Sequence, residues 1–467
     1  MIFLKKNKFF ILHIIARIFL FLFICILIYT FYRAEIVFKG SKDSIYLKYY
    51  FISLFSIIFW TVVIFYYSKY LEHLTLICLS ILFSLMVVEF FLLFTDLAPS
   101  PSEYRINKIT ALGKKFDNRS TLEVINNFKL QGIETVPNFI SSDIIASNGL
   151  PSYNNEKIFP LGSISDTETV FCNENGTYIT VKKDKYGFIN NNNIYNQASI
   201  DVALIGDSFT AGVCVPPINN IAGQIEYNSD LSVLNVGIPS AGPLIELAAF
   251  NEYVMPLKPK KVIWIYYEGN DLNINLKYEK SSSTLMKYLD KGFSQNLLSR
   301  QKEIDDTLIK YISLQEEKFK ESIKSNKLKD IFKFLRLQNI RRFIGSDIYC
   351  IDASTCNVHN SIAVVDPLFQ DILKQVRSAV NEWGGDLYFF YLPTYSRYSN
   401  NIEDNNTYLN RQGVLKIVED LEIPIIDMHN EIFLNEKDPL ELYYFGLPGH
   451  LNEKGYYKAA KEIINNL

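Results

Sequence analysis

The sequence predicts an α/β fold in which three N-terminal transmembrane helices precede a doubly wound parallel sheet with a helical insertion. Three long apolar runs in the first hundred residues predict the helices, because each approaches the roughly 20 residues that cross a bilayer. Beyond residue 200, short apolar runs alternate with amphipathic stretches, which is typical of parallel strands covered by helices on both faces. A charge-laced stretch at about 280–345 interrupts this alternation and predicts the insertion.

The apolar runs cover about residues 9–31, 49–67 and 74–94. A cleaved signal peptide has a single short apolar region, so three runs indicate a membrane anchor instead. Arg17 and Glu89 interrupt the first and third runs, and we expect each of them to snorkel or to face a neighbouring helix. Three helices leave little room for a transport path.

The charge balance excludes a general nucleic-acid-binding protein. The formal net charge of the 467 residues is −3, and neither a basic stripe nor a nucleic-acid motif is present. Basic residues beside the spans do not choose an orientation, because the two sides carry equal numbers. They are Lys5, Lys6, Lys8 and Lys69 on the side of the N-terminal tail, and Arg33, Lys39, Lys42 and Lys48 on the opposite side.

The cysteines favour an oxidising compartment. Two of the six lie in the apolar runs, which leaves an even set in the remaining chain. These are Cys172, Cys214, Cys350 and Cys356. The pairings that we expect are Cys172–Cys214 and Cys350–Cys356, which predict a multi-pass membrane protein whose large C-terminal domain is extracytoplasmic. The alternative is a set of reduced, partly buried thiols.

The chain is predicted to have three parts. Residues 1–98 form the anchor, and 99–199 form a membrane-proximal segment that packs on the main domain. Residues 200–467 form the main domain, interrupted by the insertion at about 280–345. This insertion is either a solvated helical excursion or a lid or docking surface for a protein partner.

The alternation after residue 200 predicts five strands, with at least two helices between or after them. The strands are expected at 201–206, 232–237, 261–269, 386–393 and 423–427, and the helices at 367–384 and 452–467. In a parallel sheet with covered faces, ligands bind outside the carboxyl ends of the strands. Side chains that follow these strands are therefore the candidates for a functional site.

Polar residues suited to acyl transfer stand at these strand ends. Ser208, in "VALIGDSFTAG", follows the first strand and is the candidate nucleophile. A serine needs a base, and His450, in "GHLNEKGY", precedes the final helix. An oxyanion would need donors, for which we expect the N–H groups of Ser208 and Gly237 and the side chain of Asn270.

Together these residues resemble the SGNH/GDSL hydrolase superfamily over about residues 200–467. The motif Gly-Asp-Ser-x-Thr-x-Gly of that family is complete at 206–212, and Gly237 matches the second block. The third block matches at Asn270 and Asp271, and the fourth matches at His450. The resemblance implies an SGNH-like, flavodoxin-like domain and a serine esterase that acts on carbohydrate O-acyl groups or lipid esters.

The sequence departs from the family pattern at two positions. Glu268 stands where the third block begins with glycine, and Leu447 stands where the family places an aspartate that orients the histidine. The orienting group is then Glu441, Asp427 or a backbone carbonyl beside a Ser–His dyad. We expect the dyad with a backbone carbonyl.

The functional prediction is a membrane-anchored serine ester hydrolase that works through an acyl-enzyme. The alternatives are an O-acyltransferase that modifies cell-surface polysaccharide and a catalytically inactive glycan-binding or scaffold protein. The expected partners are the lipid bilayer and an ester-bearing carbohydrate or lipid, with no nucleic acid. No cofactor is implied, and no metal is predicted, because Cys350, Cys356 and His359 would lack a fourth ligand of recognised spacing.

Overall fold

The structure is a computed structural model that describes residues 2–37, 43–95, 97, 99–153, 156–324, 326–344, 365–399 and 410–467. The helices are α1 (Ile2–Phe31), α2 (Asp43–Phe65), α3 (Ser68–Leu92), α4 (Pro101–Ala111), α5 (Thr121–Leu130), α6 (Ser208–Ala211), α7 (Ile221–Asn228), α8 (Pro243–Ala249), α9 (Lys277–Glu279), α10 (Ser283–Met286), α11 (Gln301–Lys324), α12 (Asn326–Leu335), α13 (Gln338–Phe343), α14 (Pro367–Glu382), α15 (Tyr395–Ser399), α16 (Arg411–Asp420), α17 (Met428–Glu431) and α18 (Glu453–Asn466). The strands are β1 (Thr135–Pro137), β2 (Leu150–Pro151), β3 (Lys157–Ile158), β4 (Glu168–Cys172), β5 (Ile179–Lys182), β6 (Val202–Gly206), β7 (Val233–Asn235), β8 (Lys261–Tyr267), β9 (Asp386–Leu392) and β10 (Ile425–Asp427).

The chain divides into two compact units. The first, called here the helical unit, comprises Met1–Ser100 and Glu321–Asp347. The second, called the sheet unit, comprises Pro101–Lys320 and Ile348–Leu467. The end of the predicted insertion thus belongs to the same unit as the N-terminal helices.

The helical unit contains three helices that are long and apolar enough to span a membrane. The apolar spans are Phe10–Ile36, Tyr46–Phe65 and Tyr70–Leu92. The helices pack on one another through a small buried cluster that includes Ala16 and Trp60, where the Phe19 ring stacks on Trp60 with centroids 5.2 Å apart. Their outer surfaces remain strongly apolar, as expected of helices whose solvent is lipid.

The sheet unit is built on a five-stranded parallel sheet in the order β7-β6-β8-β9-β10. The chain runs from β6 outward to β7, then returns past β6 to β8 and continues to β9 and β10. The order therefore reverses between β6 and β8, and such a reversal opens a crevice at the carboxyl ends of the two strands.

Both faces of this sheet are buried. On β6, Ala203 and Ile205 belong to one core cluster, while Val202 and Leu204 belong to another on the opposite face. Helices α8 and α14 contribute to the first cluster, and α7 and α18 contribute to the second. Burial on two sides explains why the strands have continuous apolar runs instead of alternating patterns.

The segment before the large sheet forms two small sheets. One has the order β1-β4-β5, with β1 and β4 parallel and β4 and β5 antiparallel, and the other pairs β2 with β3. Phe159 and Phe188 from this segment lie in the same core cluster as Trp264 of β8. Burial of these rings attaches the segment to the large sheet.

The predicted α/β class and the parallel sheet are confirmed, with each of the five strands within a few residues of its expected position. The finer description of the sheet as doubly wound stays a prediction. So does the division of the chain at residues 98 and 199.

Candidate active site

Ser208 is the first residue of α6, directly after β6. Gly206, at the end of the strand, has a φ of 154°, and a Cβ there would collide with the Thr210 side chain. Asp207 then caps the short helix, because its carboxylate accepts the N–H of Phe209 at 2.9 Å. Glycine and aspartate together turn the chain sharply enough to present Ser208 at the carboxyl edge of the sheet.

His450 reaches this serine from the loop that precedes α18. Asn452 caps that helix by accepting the N–H of Gly455 at 3.1 Å, which fixes where the loop ends. The Nε2 atom of His450 lies 2.8 Å from Ser208 Oγ. That distance allows direct proton transfer between the hydroxyl and the imidazole.

The other edge of the imidazole contacts a carboxylate that the sequence did not reveal. Glu174 Oε1 lies 3.0 Å from His450 Nδ1, and Glu174 Oε2 accepts the backbone N–H of His450 at 2.8 Å. Ser208, His450 and Glu174 therefore form one continuous line of hydrogen bonds. This is the geometry of a nucleophile, a base and an acid that orients the base.

This contact corrects the predicted orienting group. A dyad with a backbone carbonyl was expected, but a carboxylate occupies that position, and it is neither Asp427 nor Glu441. Asp427 pairs with the buried guanidinium of Arg411, and Glu441 lies at the surface beside Lys454. Both acids precede His450 closely in sequence, whereas Glu174 comes from the segment before the sheet and reaches the site only through tertiary folding.

The turn that carries Glu174 is held on both sides. It connects β4 to β5, and the disulfide Cys172–Cys214 joins it to the loop that follows α6, with Cα atoms 5.2 Å apart. Arg105 of α4 donates to the carbonyl oxygen of Glu174 at 3.3 Å and to that of Pro448. The disulfide thus secures the acid toward the serine loop, and Arg105 secures it toward the histidine loop.

One predicted disulfide is therefore present. The second expected pair, Cys350–Cys356, lies outside the described residues. The sulfur atoms of Cys172 and Cys214 and the carboxylate of Glu174 lie within 4.8 Å of one another. They do not form a metal site, because cysteines joined in a disulfide have no thiolate to offer.

The electrostatics of the site keep Glu174 ionised. Burial alone would raise the pKa of Glu174, but the charge of His450, its hydrogen bonds and the charge of Arg105 lower that pKa to about 2. The pKa of Asp207 is shifted in the opposite direction. Burial raises it to about 6, although the hydrogen bond from the N–H of Phe209 lowers it. Glu174, which contacts the imidazole directly, therefore stays ionised over a wider acidic range than Asp207.

The expected oxyanion donors have different surroundings. The N–H of Gly237 donates to Asn235 Oδ1 at 2.9 Å, so this predicted donor is already engaged. Gly237 instead serves close packing, because a Cβ there would collide with the backbone of Ala211. The side chain of Asn270 makes no hydrogen bond among the described residues, and its Oδ1 is buried. Asn270 and the N–H of Ser208 remain as the donor candidates.

The structure explains the departure at Glu268. Its side chain is fully buried and pairs with the equally buried Arg397, while the N–H of Thr394 donates to Glu268 Oε2 at 2.9 Å. Tyr391 donates its hydroxyl to the other carboxylate oxygen. Glu268 thus forms a buried ion pair beside the ends of β8 and β9, two residues from Asn270.

Sequence reasoning missed Glu174 and Arg105. A signal for Glu174 was present, because pairing Cys172 with Cys214 brings the stretch "CNENGTY" beside the serine turn, and Glu174 is the one acid in it. Arg105 left no comparable signal. Its role depends on two carbonyl groups that are far apart in sequence.

The fold and the site define an α/β protein with a serine, a histidine and a carboxylate in line at the carboxyl edge of a parallel sheet. No family model matches the chain. No curated protein matches it either.

Several solved structures are similar to it, and two of them serve as examples. One is described as a lipolytic protein of the G-D-S-L family from Desulfitobacterium hafniense DCB-2, with 16% identity, a TM-score of 0.31 and coverage of 58% of this chain and 100% of that chain. The other is the lipase/acylhydrolase from Enterococcus faecalis, with 13% identity, a TM-score of 0.32 and coverage of 57% and 94%. At these values the similarity does not extend to function.

Proposed function

We propose that the chain is a membrane-anchored serine ester hydrolase that acts on O-acyl groups of carbohydrate or lipid through an acyl-enzyme. The observation that carries this proposal is the line of contacts from Ser208 Oγ through His450 to Glu174. A hydroxyl is a weak nucleophile unless a base removes its proton, and the base works best when its orientation and charge are supported.

In the proposed reaction, His450 Nε2 accepts the Ser208 proton as Oγ attacks the ester carbonyl. The tetrahedral intermediate collapses when the imidazolium returns that proton to the departing alcohol, which leaves an acyl group on Ser208. Water then attacks the acyl-enzyme while His450 takes its proton, and the imidazolium returns that proton to Ser208 Oγ as the acyl–oxygen bond breaks and the carboxylic acid leaves. Glu174 stabilises the imidazolium in both steps without accepting its proton.

The oxyanion is assigned to the N–H of Ser208 and the side-chain amide of Asn270. The side chain of Asn270 makes no hydrogen bond among the described residues, so its N–H groups are open to donate to a developing charge. Loss of one such donor typically costs about 10²–10³ in kcat. Gly237 is left out of this assignment because its N–H is engaged by Asn235.

Anchoring and compartment are part of the same proposal. The three apolar helices support insertion in a membrane, and the Cys172–Cys214 disulfide supports an oxidising, extracytoplasmic location of the sheet unit. A membrane anchor also keeps open acyl transfer to a cell-surface polysaccharide, with a sugar hydroxyl in place of water. A non-catalytic glycan-binding or scaffold protein is disfavoured, because it has no need for an aligned nucleophile, base and acid.

Replacement of Ser208 tests the activity. The purified full-length protein should react with a fluorophosphonate probe and hydrolyse p-nitrophenyl acetate, and Ser208→Ala should abolish labelling and lower kcat by at least about 10³. His450→Ala should behave similarly, because the base is lost.

Two matched variants serve as controls. Ser240→Ala removes another serine from a loop at the carboxyl edge, and His429→Ala removes another histidine of the sheet unit. Both should keep their probe labelling. Labelling of Ser208→Ala at the wild-type rate would show that Ser208 is not the nucleophile.

A further inference from the structure

Helices α12 and α13 each carry exposed large apolar side chains. Ile331, Phe332 and Leu335, on α12, are 54%, 58% and 55% exposed, and Phe343 and Ile344 at the end of α13 are exposed as well. Exposed clusters of large apolar side chains mark contact with a protein or a membrane in soluble and membrane proteins alike. We name this set of five residues the insertion face.

Both helices are attached to the apolar helices of the same unit. They pack against α3. The buried carboxylate of Glu89, in α3, accepts the backbone N–H of Asn339 at 2.9 Å, the side-chain amide of Asn339 at 3.0 Å and the N–H of Ile340 at 2.8 Å. On the other side, Arg341 Nη2 lies 3.4 Å from the hydroxyl of Tyr49 in α2. The acid that interrupts the third apolar run thus caps the start of α13.

These two attachment points lie at the same depth. Glu89 comes three residues before the end of the span Tyr70–Leu92, and Tyr49 comes three residues after the start of the span Tyr46–Phe65. At 1.5 Å per residue, each lies about 4.5 Å inside its span. Because α2 begins at the edge where α3 ends, both points mark one boundary of the apolar layer, where tyrosine side chains are enriched.

The charge of the two helices suits an anionic surface. Between residues 326 and 343 the basic residues are Lys327, Lys329, Lys333, Arg336, Arg341 and Arg342, against the single acid Asp330. Lys333 and Arg336 are exposed. A helix with exposed large apolar side chains and an excess of Lys and Arg is typical of one that lies in the membrane interface.

We propose that α12 and α13 lie in the lipid interface, with the insertion face buried against acyl chains and the exposed Lys333 and Arg336 against anionic headgroups. This inference rests on the proposed membrane anchoring. It assigns the end of the insertion to lipid and not to a protein partner or to free solvent. Glu89 holds the two helices at the boundary of the apolar layer.

Spin labels on the full-length protein test the proposal. The cysteines other than Cys172 and Cys214, which are Cys25, Cys78, Cys350 and Cys356, are replaced by serine. The protein is then reconstituted in nanodiscs of phosphatidylcholine with phosphatidylglycerol. Labels are placed at Phe332 and Leu335. The matched controls are Lys333, on the same helix, and Arg336, the residue that follows the helix. Accessibility to oxygen, which concentrates in lipid, is compared with accessibility to a water-soluble nickel chelate.

The expected result is a shift toward oxygen at Phe332 and Leu335 and toward the nickel chelate at Lys333 and Arg336. A further label at Phe83, which is 71% exposed in the middle of α3, reports on the anchoring itself. Oxygen access at Phe83 with nickel access at Phe332 and Leu335 would overturn the interfacial placement alone. Nickel access at Phe83 would overturn the anchoring and this placement together. Low accessibility of Phe332 and Leu335 to both reagents would identify a protein cover and would also overturn the placement.

Two changes test the causes. Glu89→Ala removes the acceptor of three N–H groups, so the difference in oxygen and nickel-chelate accessibility between Phe332 and Lys333 should be lost. Glu89→Gln retains an acceptor oxygen and should keep part of this difference. Removing phosphatidylglycerol should shift Phe332 and Leu335 toward the nickel chelate, because each basic residue near an anionic surface is worth about 1 kcal/mol, or about fivefold in binding. If the accessibility difference is unchanged in Glu89→Ala, Glu89 does not hold the helices at the boundary. If it is unchanged in neutral lipid, the anionic headgroups do not contribute to the placement.

Discussion

At the scale of single residues, Glu174 is the side chain on which the proposed chemistry depends most after Ser208 and His450. It contacts both the ring and the backbone of His450, so it fixes the position and the tautomer of the imidazole together. We expect Glu174→Ala to lower kcat by roughly 10²–10⁴ with little change in KM, because orientation and charge support of the base are lost in the transition state. Steady-state hydrolysis of an activated ester measures both constants.

Glu441→Ala is the matched control, because it removes an acid that was also a candidate but lies at the surface beside Lys454. It should leave kcat within about a factor of two, the range of exposed surface changes. A large loss in Glu441→Ala with none in Glu174→Ala would reverse the assignment.

The pH profile gives a second readout for Glu174. The pKa of Glu174 is lowered from 4.5 to about 2. Its contribution to the free energy of unfolding is therefore complete above about pH 4.5 and is lost as the pH falls toward about 2. In Glu174→Gln the imidazolium loses its negative neighbour, and the acidic limb of the kcat/KM profile should move to lower pH.

Glu268 illustrates how a departure from a motif is compensated. Its carboxylate and the Arg397 guanidinium are both fully buried and form an ion pair. Glu268→Gly leaves the Arg397 guanidinium buried without this carboxylate, so we expect a loss of about 3–5 kcal/mol in unfolding free energy. Thermal unfolding in detergent measures the change.

The double variant Glu268→Gly/Arg397→Leu should recover much of that loss, because neither charge then remains buried alone. If both variants are equally destabilised, the cost comes from packing and not from the unpaired charge.

At the scale of elements, the turn between β4 and β5 is positioned by a covalent link. The Cys172–Cys214 disulfide closes a sequence separation of 42 residues, and a loop of this size corresponds to about 4 kcal/mol of stabilisation through the unfolded chain. We expect Cys172→Ser/Cys214→Ser to lower kcat by about 10²-fold, because small displacements of a catalytic group have effects of this size. Ester hydrolysis measures the effect on the position of Glu174, and unfolding of the same preparation measures the effect on stability.

Cys25→Ser/Cys78→Ser is the control for that experiment, since both cysteines are free and lie in the apolar helices. Its activity should equal that of the wild type, and mild reduction should lower activity in this variant as well. Full activity of the protein without the Cys172–Cys214 link would mean that Arg105 alone suffices to hold Glu174.

At the scale of the whole molecule, the proposed extracytoplasmic location of the sheet unit is open to direct measurement. A cysteine at Leu130, which is 87% exposed, should react with an impermeant maleimide in intact cells if the unit is extracytoplasmic. The other free cysteines are replaced, and the same labelling after permeabilisation gives the total. Reaction only after permeabilisation would place the unit in the cytoplasm.

Much of the architecture followed from local pattern. Apolar run length predicted the three long helices, and short apolar runs after residue 200 predicted the strands of the parallel sheet. Both patterns are short-range, because hydrophobic periodicity reflects what one element buries. The positions of Ser208 and His450 at strand and helix ends followed from the same pattern together with motif spacing.

The orienting acid was decided by tertiary structure. Glu174 is 276 residues from His450, and its approach depends on a hairpin turn, a disulfide and the Arg105 contacts acting together. The attachment of Glu89 to α13 joins residues about 250 apart in the same way. Sequence determined which elements form, because that choice is local, whereas long-range packing decided which polar groups meet, because no periodicity encodes a contact between distant segments.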